Sequence, residues 1–155
     1  MIDHEPILWR DEYLTGIERI DEQHKVLVNT LNEANVRLSA CVTRDLLEQI
    51  TRDLLSYALY HFETEESLMR EYGYPELADT DAEQHLLEHR SFSKRVVALR
   101  DGLRDGELVT REELLSFLNN WLVNHILHTD KRLGSFLISH GYPAARPAAD
   151  PPKTQ

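Results

Sequence analysis

A chain of 155 residues has the size of one domain with one core and leaves little room for a second. Its 27 acidic and 17 basic side chains give a formal charge of -10, which repels phosphate backbones and anionic lipid and argues against nucleic acid as a partner. The single cysteine, Cys41, cannot form an internal disulfide, and the opening MIDHEPILWRDEY lacks the basic end and apolar run of a signal peptide, so a reducing cytoplasm is the expected location.

Residues 1 to 16 read as an N-terminal arm anchored by Trp9 and Tyr13. From there Ile17, Ile20, His24, Leu27, Leu31, Ala34 and Leu38 step by alternating threes and fours, the period of a buried stripe on one helix. A second helix repeats the pattern through Leu47, Ile50, Leu54, Tyr57, His61, Glu65, Leu68 and Tyr72, and Gly73 and Pro75 of YGYP stop it. The third starts near Thr80 and Asp81, both suited to an N-cap, carries His85, His89, Phe92, Val96, Leu99 and Leu103, and breaks at Gly106. The fourth opens after Thr110, places Glu112 and Glu113 at the positive end of its dipole, and sets Leu114, Leu118, Trp121 and His125 on one stripe. There the stripe changes phase. Asp130, Leu133 and Leu137 follow His125 at an offset of five residues, ~140° round a regular helix. One locally widened turn brings His125 and Asp130 to the same face, and such bulges occur often at functional sites; side-chain reach alone is the alternative.

The longest apolar-looking stretch, LLSFLNNWLVNHIL, is broken by Asn119, Asn120, Asn124 and His125 and falls short of the ~20 residues of a spanning helix, so no membrane insertion is expected. Alternating β-branched runs and internal repeats are missing. The expected fold is all-α, an antiparallel up-down-up-down four-helix bundle over residues 1 to 142 with an N-terminal arm. A Pro-rich tail, residues 143 to 155, follows and has too few large apolar groups to order.

Taken singly, each seam histidine has a bland explanation as a hydrogen-bonded core residue. Together, five imidazoles and two carboxylates (His24, His61, His85, His89, His125, Glu65 and Asp130), with no Lys or Arg at seam spacing, carry a heavy desolvation cost unless a metal balances them. Nitrogen ligands suit zinc, copper or iron, and seven protein ligands exceed what one tetrahedral zinc uses, so two metals are implied. Glu65 and Asp130 each have two oxygens with which to bridge two cations. The histidines then divide as three and two, one octahedral metal is saturated, and its neighbour keeps an open position for a small ligand. A zinc-protease reading fails because HLLEH carries Leu86 where HExxH needs its glutamate. The ferritin-like pattern of glutamates and ExxH pairs is a weaker reading as well, since Asp21, Ala58, Ala82, Leu86 and Leu122 stand where such ligands would be expected. The side chains expected round the open position are Leu27, Val28, Phe62, Leu122 and Ile126, all apolar. His4, His140, Glu63 and Glu66 are expected on solvated surface. His128 reads either as hydrogen-bonded behind the site or as exposed, and Cys41 either as a small buried hydrophobe or as an inert surface thiol.

GIERIDEQH, HFETEE, QHLLEH and WLVNHILHTD resemble the signature segments of the hemerythrin family, in particular its single-domain bacteriohemerythrins, over roughly residues 8 to 140. The order His, HxxxE, HxxxH, HxxxxD is matched at every position, and four-helix bundles of this kind include myohemerythrin. The resemblance implies two iron ions per chain, joined by an oxo or hydroxo bridge from solvent. It implies that His85, His89 and His125 hold the saturated iron, that His24 and His61 hold the iron with the open position, and that Glu65 and Asp130 bridge the two. It further implies dioxygen as a reversibly bound ligand, lined by Leu27, Phe62, Leu122 and Ile126, in a monomer that is not an enzyme. Storage, sensing, and delivery to an oxygen-consuming enzyme as partner are the roles open to such a protein. Two rival readings use the same ligands: a di-iron enzyme acting on peroxide or nitric oxide, and an iron-handling bundle.

Overall fold

The computed structural model describes residues 6–143, and the regular structure among them is helical throughout. His4 and the Pro-rich tail from residue 144 onward lie outside the described residues. The helices are α1 Glu18–Ala40, α2 Arg44–Tyr72, α3 Tyr74–Leu77, α4 Asp79–Arg104, α5 Arg111–Asn124 and α6 Lys131–Ser139, with a π-helical turn, His125–Asp130, joining the last two. Local chemistry sets their ends. Thr43 Oγ1 accepts from Leu46 N at 3.1 Å to open α2. Gly73, at φ 74, closes it in the left-handed region that glycine reaches without strain. Pro75 then does not simply stop a helix: it sits in the first turn of the one-turn α3, where its missing N–H is no loss. Helix α4 begins at Asp79, so Thr80 and Asp81 lie inside its first turn rather than capping it. Thr110 and Glu113 form a reciprocal capping box at the start of α5, with bonds of 3.1 and 3.3 Å.

Helix α2 packs against α1 and α4, and α5 packs against α1. Short connections at residues 41–43 and 105–110 make sequential neighbours antiparallel, and α5, the π turn and α6 run on as the fourth rod of the expected four-helix bundle. No helix among the described residues is long and apolar enough to cross a membrane. The N-terminal arm is fastened along the bundle. Trp9 stands edge-on to the buried Tyr13 at 5.5 Å, and the Asn32 amide clasps Ile7 N and O at 2.8 and 2.9 Å. Asp21 then accepts from Thr15 N, Thr15 Oγ1 and Gly16 N at 2.8, 2.8 and 3.2 Å. A Cβ on Gly134 would come within 2.5 Å of Thr15 O, so α6 meets the arm backbone to backbone where only glycine fits.

The apolar stripes predicted from spacing do face inward, but they form two clusters rather than one. Ile17, Ile20, Leu68, Met69, Tyr74, Ala82, Leu133 and Leu137 close one end. The larger cluster takes Tyr13 of the arm together with residues from positions 27 to 38, 47 to 62, 92 to 103 and 114 to 126. Between the two, each rod contributes buried polar groups: His24; His61 and Glu65; His85 and His89; His125 and Asp130.

Candidate metal centre

On a regular helix His125 and Asp130 would point ~140° apart. The π turn spanning these two residues removes the discrepancy, and His125 Nε2 lies 3.0 Å from Asp130 Oδ1. The other seam groups converge on the same place. His24 Nε2 is 2.8 Å from Asp130 Oδ2 and His85 Nε2 is 3.2 Å from Asp130 Oδ1. Glu65 Oε1 stands 3.0 Å from His61 Nε2 and 3.3 Å from His89 Nε2, while its Oε2 lies 3.5 Å from His85 Nε2. Two overlapping sets result: Glu65, His85, His89, His125 and Asp130 in one, and His24, His61, Glu65 and Asp130 in the other. The carboxylates belong to both. Asp130 divides its oxygens cleanly, Oδ2 toward His24 and Oδ1 toward His85 and His125.

These atoms are close but not hydrogen-bonded. The inward Nε2 atoms of all five histidines and both oxygens of each carboxylate are buried without a hydrogen-bond partner. A protein rarely leaves so many polar atoms unsatisfied, because each costs about 1–3 kcal/mol of desolvation. A cation at the focus of the lone pairs resolves that cost. Donors ~2.1 Å from a common cation lie ~3.0 Å apart when adjacent on an octahedron and ~4.2 Å apart when opposite. The observed separations run from 2.8 to 4.0 Å. The donor set therefore fits metal, and borderline nitrogen with carboxylate oxygen fits iron among others.

Protons do part of this work in the metal-free chain. Burial wins at His61 and holds it below the ordinary imidazole value. At His125 burial is overridden by the Asp130 and Glu88 carboxylates, which lift it to about 10, and Glu65 and Asp130 raise His85 against burial in the same sense. Burial works to raise Glu65, yet His61 and His85 hold it well below the usual carboxylate range. Asp130, pushed up by burial and by Glu65, also ends below its ordinary value because of His125 and His24. At neutral pH His125 thus carries a proton facing the two carboxylates, and His85 is shifted toward the same state. A divalent cation must displace those protons, since only the neutral imidazole ligates. Metal uptake at pH 7 is expected to release protons, and affinity should rise with pH toward the raised His125 value. Calorimetric titration in buffers of different ionisation enthalpy measures this, and proton-neutral uptake would refute it.

The histidines are held from behind by groups that spacing alone did not single out. Gln23 Oε1 meets His61 Nδ1 at 2.7 Å, Glu66 Oε2 meets His89 Nδ1 at 3.3 Å, and Glu88 Oε1 meets His125 Nδ1 at 3.0 Å. Glu66 is therefore not the solvated surface residue its spacing suggests: its side chain is partly buried against His89. The helix turn that points Glu65 inward still leaves Glu66 ~100° round, near enough to reach the next rod. Glu63 is exposed as expected and pairs with Arg70 at 3.0 Å. His128 and Cys41 are exposed, and His140 is exposed with its ring stacked on Phe136.

Above the histidines the environment is apolar. Phe62 stacks on His89 at 3.9 Å and Trp121 on His125 at 4.4 Å. Both rings line a small cavity of about 20 Å³ together with Leu27, Leu31, Leu54, Ala58, Phe92, Leu118 and Leu122. That is room for about one water-sized molecule. Of the expected pocket residues, Leu27, Phe62 and Leu122 line the cavity; Val28 and Ile126 are buried in the same cluster without reaching it.

The sequence matches the Hemerythrin HHE cation binding domain over residues 15–137, a span that contains all seven converging groups. It is 32% identical over 134 residues to the bacteriohemerythrin of Stenotrophomonas maltophilia, covering 86% of this chain and 83% of that one. The identity to the bacteriohemerythrin of Pseudomonas aeruginosa is 33% over 124 residues, covering 80% and 76%. In three dimensions the chain is similar to a crystal structure of wild-type hemerythrin, with a TM-score of 0.74 and 28% identity over 86% of this chain and 98% of that one.

Proposed function

The chain belongs to the hemerythrin family, and from that membership we propose that it binds dioxygen reversibly at a pair of irons, as a carrier or store rather than an enzyme. The observation that carries the reading is the pair of overlapping buried donor sets that share Glu65 and Asp130, with every inward atom lacking a hydrogen bond. His85, His89 and His125 would hold one iron and His24 and His61 the other, with Glu65 and Asp130 available to both. The half with one imidazole fewer keeps the position for the small ligand. A pair of ferrous ions bound there would supply the two electrons that dioxygen takes on binding and returns on release.

The remaining work falls to the chain. The bridging carboxylates hold the halves in register, and their charges offset the cations in a site with no Lys or Arg among the converging groups. Leu27, Phe62 and Leu122 present apolar surface and keep water and acids away from the bound gas, which favours release over reaction. An enzyme acting on peroxide or nitric oxide would need a proton donor on that wall, and the side chains lining the cavity are aliphatic or aromatic with no acid among them.

The test is anaerobic ferrous protein exposed to air and then to argon, with visible absorbance and iron content followed together. An absorbance change that appears in air and reverses under argon, at two irons per chain, is the expected result. Irreversible change with turnover of peroxide or nitric oxide would favour the enzyme, and readily exchanging iron with no response to air would favour iron handling. We propose that residues 1 to 142 form the functional domain, so a chain ending at Tyr142, whose ring packs on Tyr72 at 5.7 Å, is expected to run the same cycle.

A further inference from the structure

We propose that the side chains behind the histidines make the two halves of the centre unequal, so that the His85, His89 and His125 half takes up metal first and more tightly. Glu88 and Glu66 act as positioning residues for that half, and Gln23 for the other. The inference rests on the two-metal reading above.

Each Nδ1 contact fixes a tautomer. An acceptor that takes the Nδ1 proton leaves the Nε2 lone pair facing the centre, and a stronger acceptor makes the imidazole a better donor. Two rings of the three-histidine half have carboxylates in this place: His125 has Glu88 at 3.0 Å and His89 has Glu66 at 3.3 Å. In the other half His61 has only a neutral amide, Gln23, at 2.7 Å. The amide is oriented by a further bond, because Gln23 Nε2 donates to Thr64 Oγ1 at 3.1 Å and so turns its oxygen toward His61. His24 and His85, one in each half, have no Nδ1 partner among the described residues, so the difference between halves lies in these three contacts. Hydrogen bonds to an ionised acceptor are roughly twice as strong as neutral ones, which puts the more basic imidazoles on the three-histidine side.

The number of imidazoles alone already favours that side, so the test must hold the ligands constant. Glu88 also accepts from Thr129 at 2.7 and 2.8 Å, and both Thr129 and His125 lie in the π turn, so a purely mechanical role for Glu88 has to be separated from its charge. Glu88→Gln does this: the amide keeps an acceptor for His125 and a donor for the Thr129 hydroxyl, and only the charge is lost. Gln23→Glu is the converse change, and the Thr64 hydroxyl can turn to donate to the new carboxylate.

The experiment is calorimetric titration of the full-length metal-free chain with Zn(II), with the Nδ1–H and ring signals of the histidines followed by nitrogen-15 NMR. Wild type is expected to bind two equivalents in unequal steps, the first perturbing His85, His89 and His125. Glu88→Gln should weaken the first step by roughly 10- to 100-fold and leave the second unchanged. Gln23→Glu should strengthen the second step, a gain that a merely structural role does not produce. Glu66→Gln, on α2 and away from the π turn, should weaken the first step in the same direction and stands in if Glu88→Gln fails to fold. The inference is overturned by a first equivalent at His24 and His61, by charge-removing variants that leave the first step unmoved, or by a weaker second step in Gln23→Glu. Wild type that binds fewer than two equivalents overturns the two-metal reading itself, and this inference with it.

Discussion

His125→Ala is expected to lower bound iron from two per chain to one or fewer and to lower thermal stability at the same time. The ring is almost fully buried, sits 3.0 Å from Asp130 and 3.0 Å from Glu88, and stacks on Trp121, so its removal strips a ligand, two carboxylate partners and a packing contact together. An ion that binds only the folded chain contributes about 4 kcal/mol at a thousand times its Kd. Loss of that term corresponds to a fall of roughly 10 °C in Tm for a domain of this size. Adding a chelator separates the parts: wild type should fall most of the way toward the variant, and the remaining gap is the cost of leaving Asp130 and Glu88 without an imidazole. Iron analysis and thermal melts with and without chelator measure it. A His125→Ala chain that still holds two irons would remove His125 from the ligand set.

If the proposed dioxygen binding holds, the second large effect falls on the lifetime of the oxygenated form, in Leu122→Asn. Leu122 is 7% exposed and lines the apolar cavity beside Phe62 and Trp121, one helical turn before His125. Asparagine has the same branching and number of side-chain heavy atoms but brings an amide that recruits water, and a buried amide without partners costs about 1–3 kcal/mol. Iron content should be preserved, since no ligand changes. Irreversible loss of the air-induced absorbance should be faster by roughly tenfold, equivalent to ~1.4 kcal/mol off the barrier to that loss. The assay is the decay in air-saturated buffer beside an iron determination. An unchanged decay rate with both irons bound would show that Leu122 does not shield the site.

The sequence spacing reached the inward groups because a ligand's position on its own helix is a local property. The stripes at His24, His61, His85 and His125 needed only the helical period, and the five-residue step to Asp130 pointed to the widened turn that the structure contains. The supports behind the rings were not legible. Gln23 serves His61, Glu66 serves His89 and Glu88 serves His125 across separations of 38, 23 and 37 residues. Each choice depends on the relative height and rotation of two rods, which the period of either rod does not contain. Glu66 shows the failure clearly: ~100° off the seam of α2 reads as solvent from one helix alone, but on that side α4 brings His89 within reach. A signal did exist in the chemistry, since a ligating imidazole needs an acceptor at its other nitrogen, but it says only that such a residue exists. The division of the core into two clusters was equally hidden, because the stripes run through the histidines without a change of period.

That division bears on how the chain melts. Apolar contact is what usually makes a small bundle open all at once, and here the cluster of Ile17, Leu68 and Leu133 is separated from the cluster of Leu31, Leu54 and Leu114 by a belt of buried imidazole nitrogens and carboxylate oxygens that lack hydrogen bonds. Without cations the two ends are expected to behave as separate cooperative units, the smaller opening at lower free energy, which amide hydrogen exchange of the metal-free chain measures. With cations in the belt, four rods are cross-linked at mid-height through side chains drawn from every one of them, and opening either end means breaking ligand bonds. Metal in the belt would thus tie the two clusters into one unit, so that the stability of the end built on Ile17, Leu68 and Leu133 depends on whether the belt is filled.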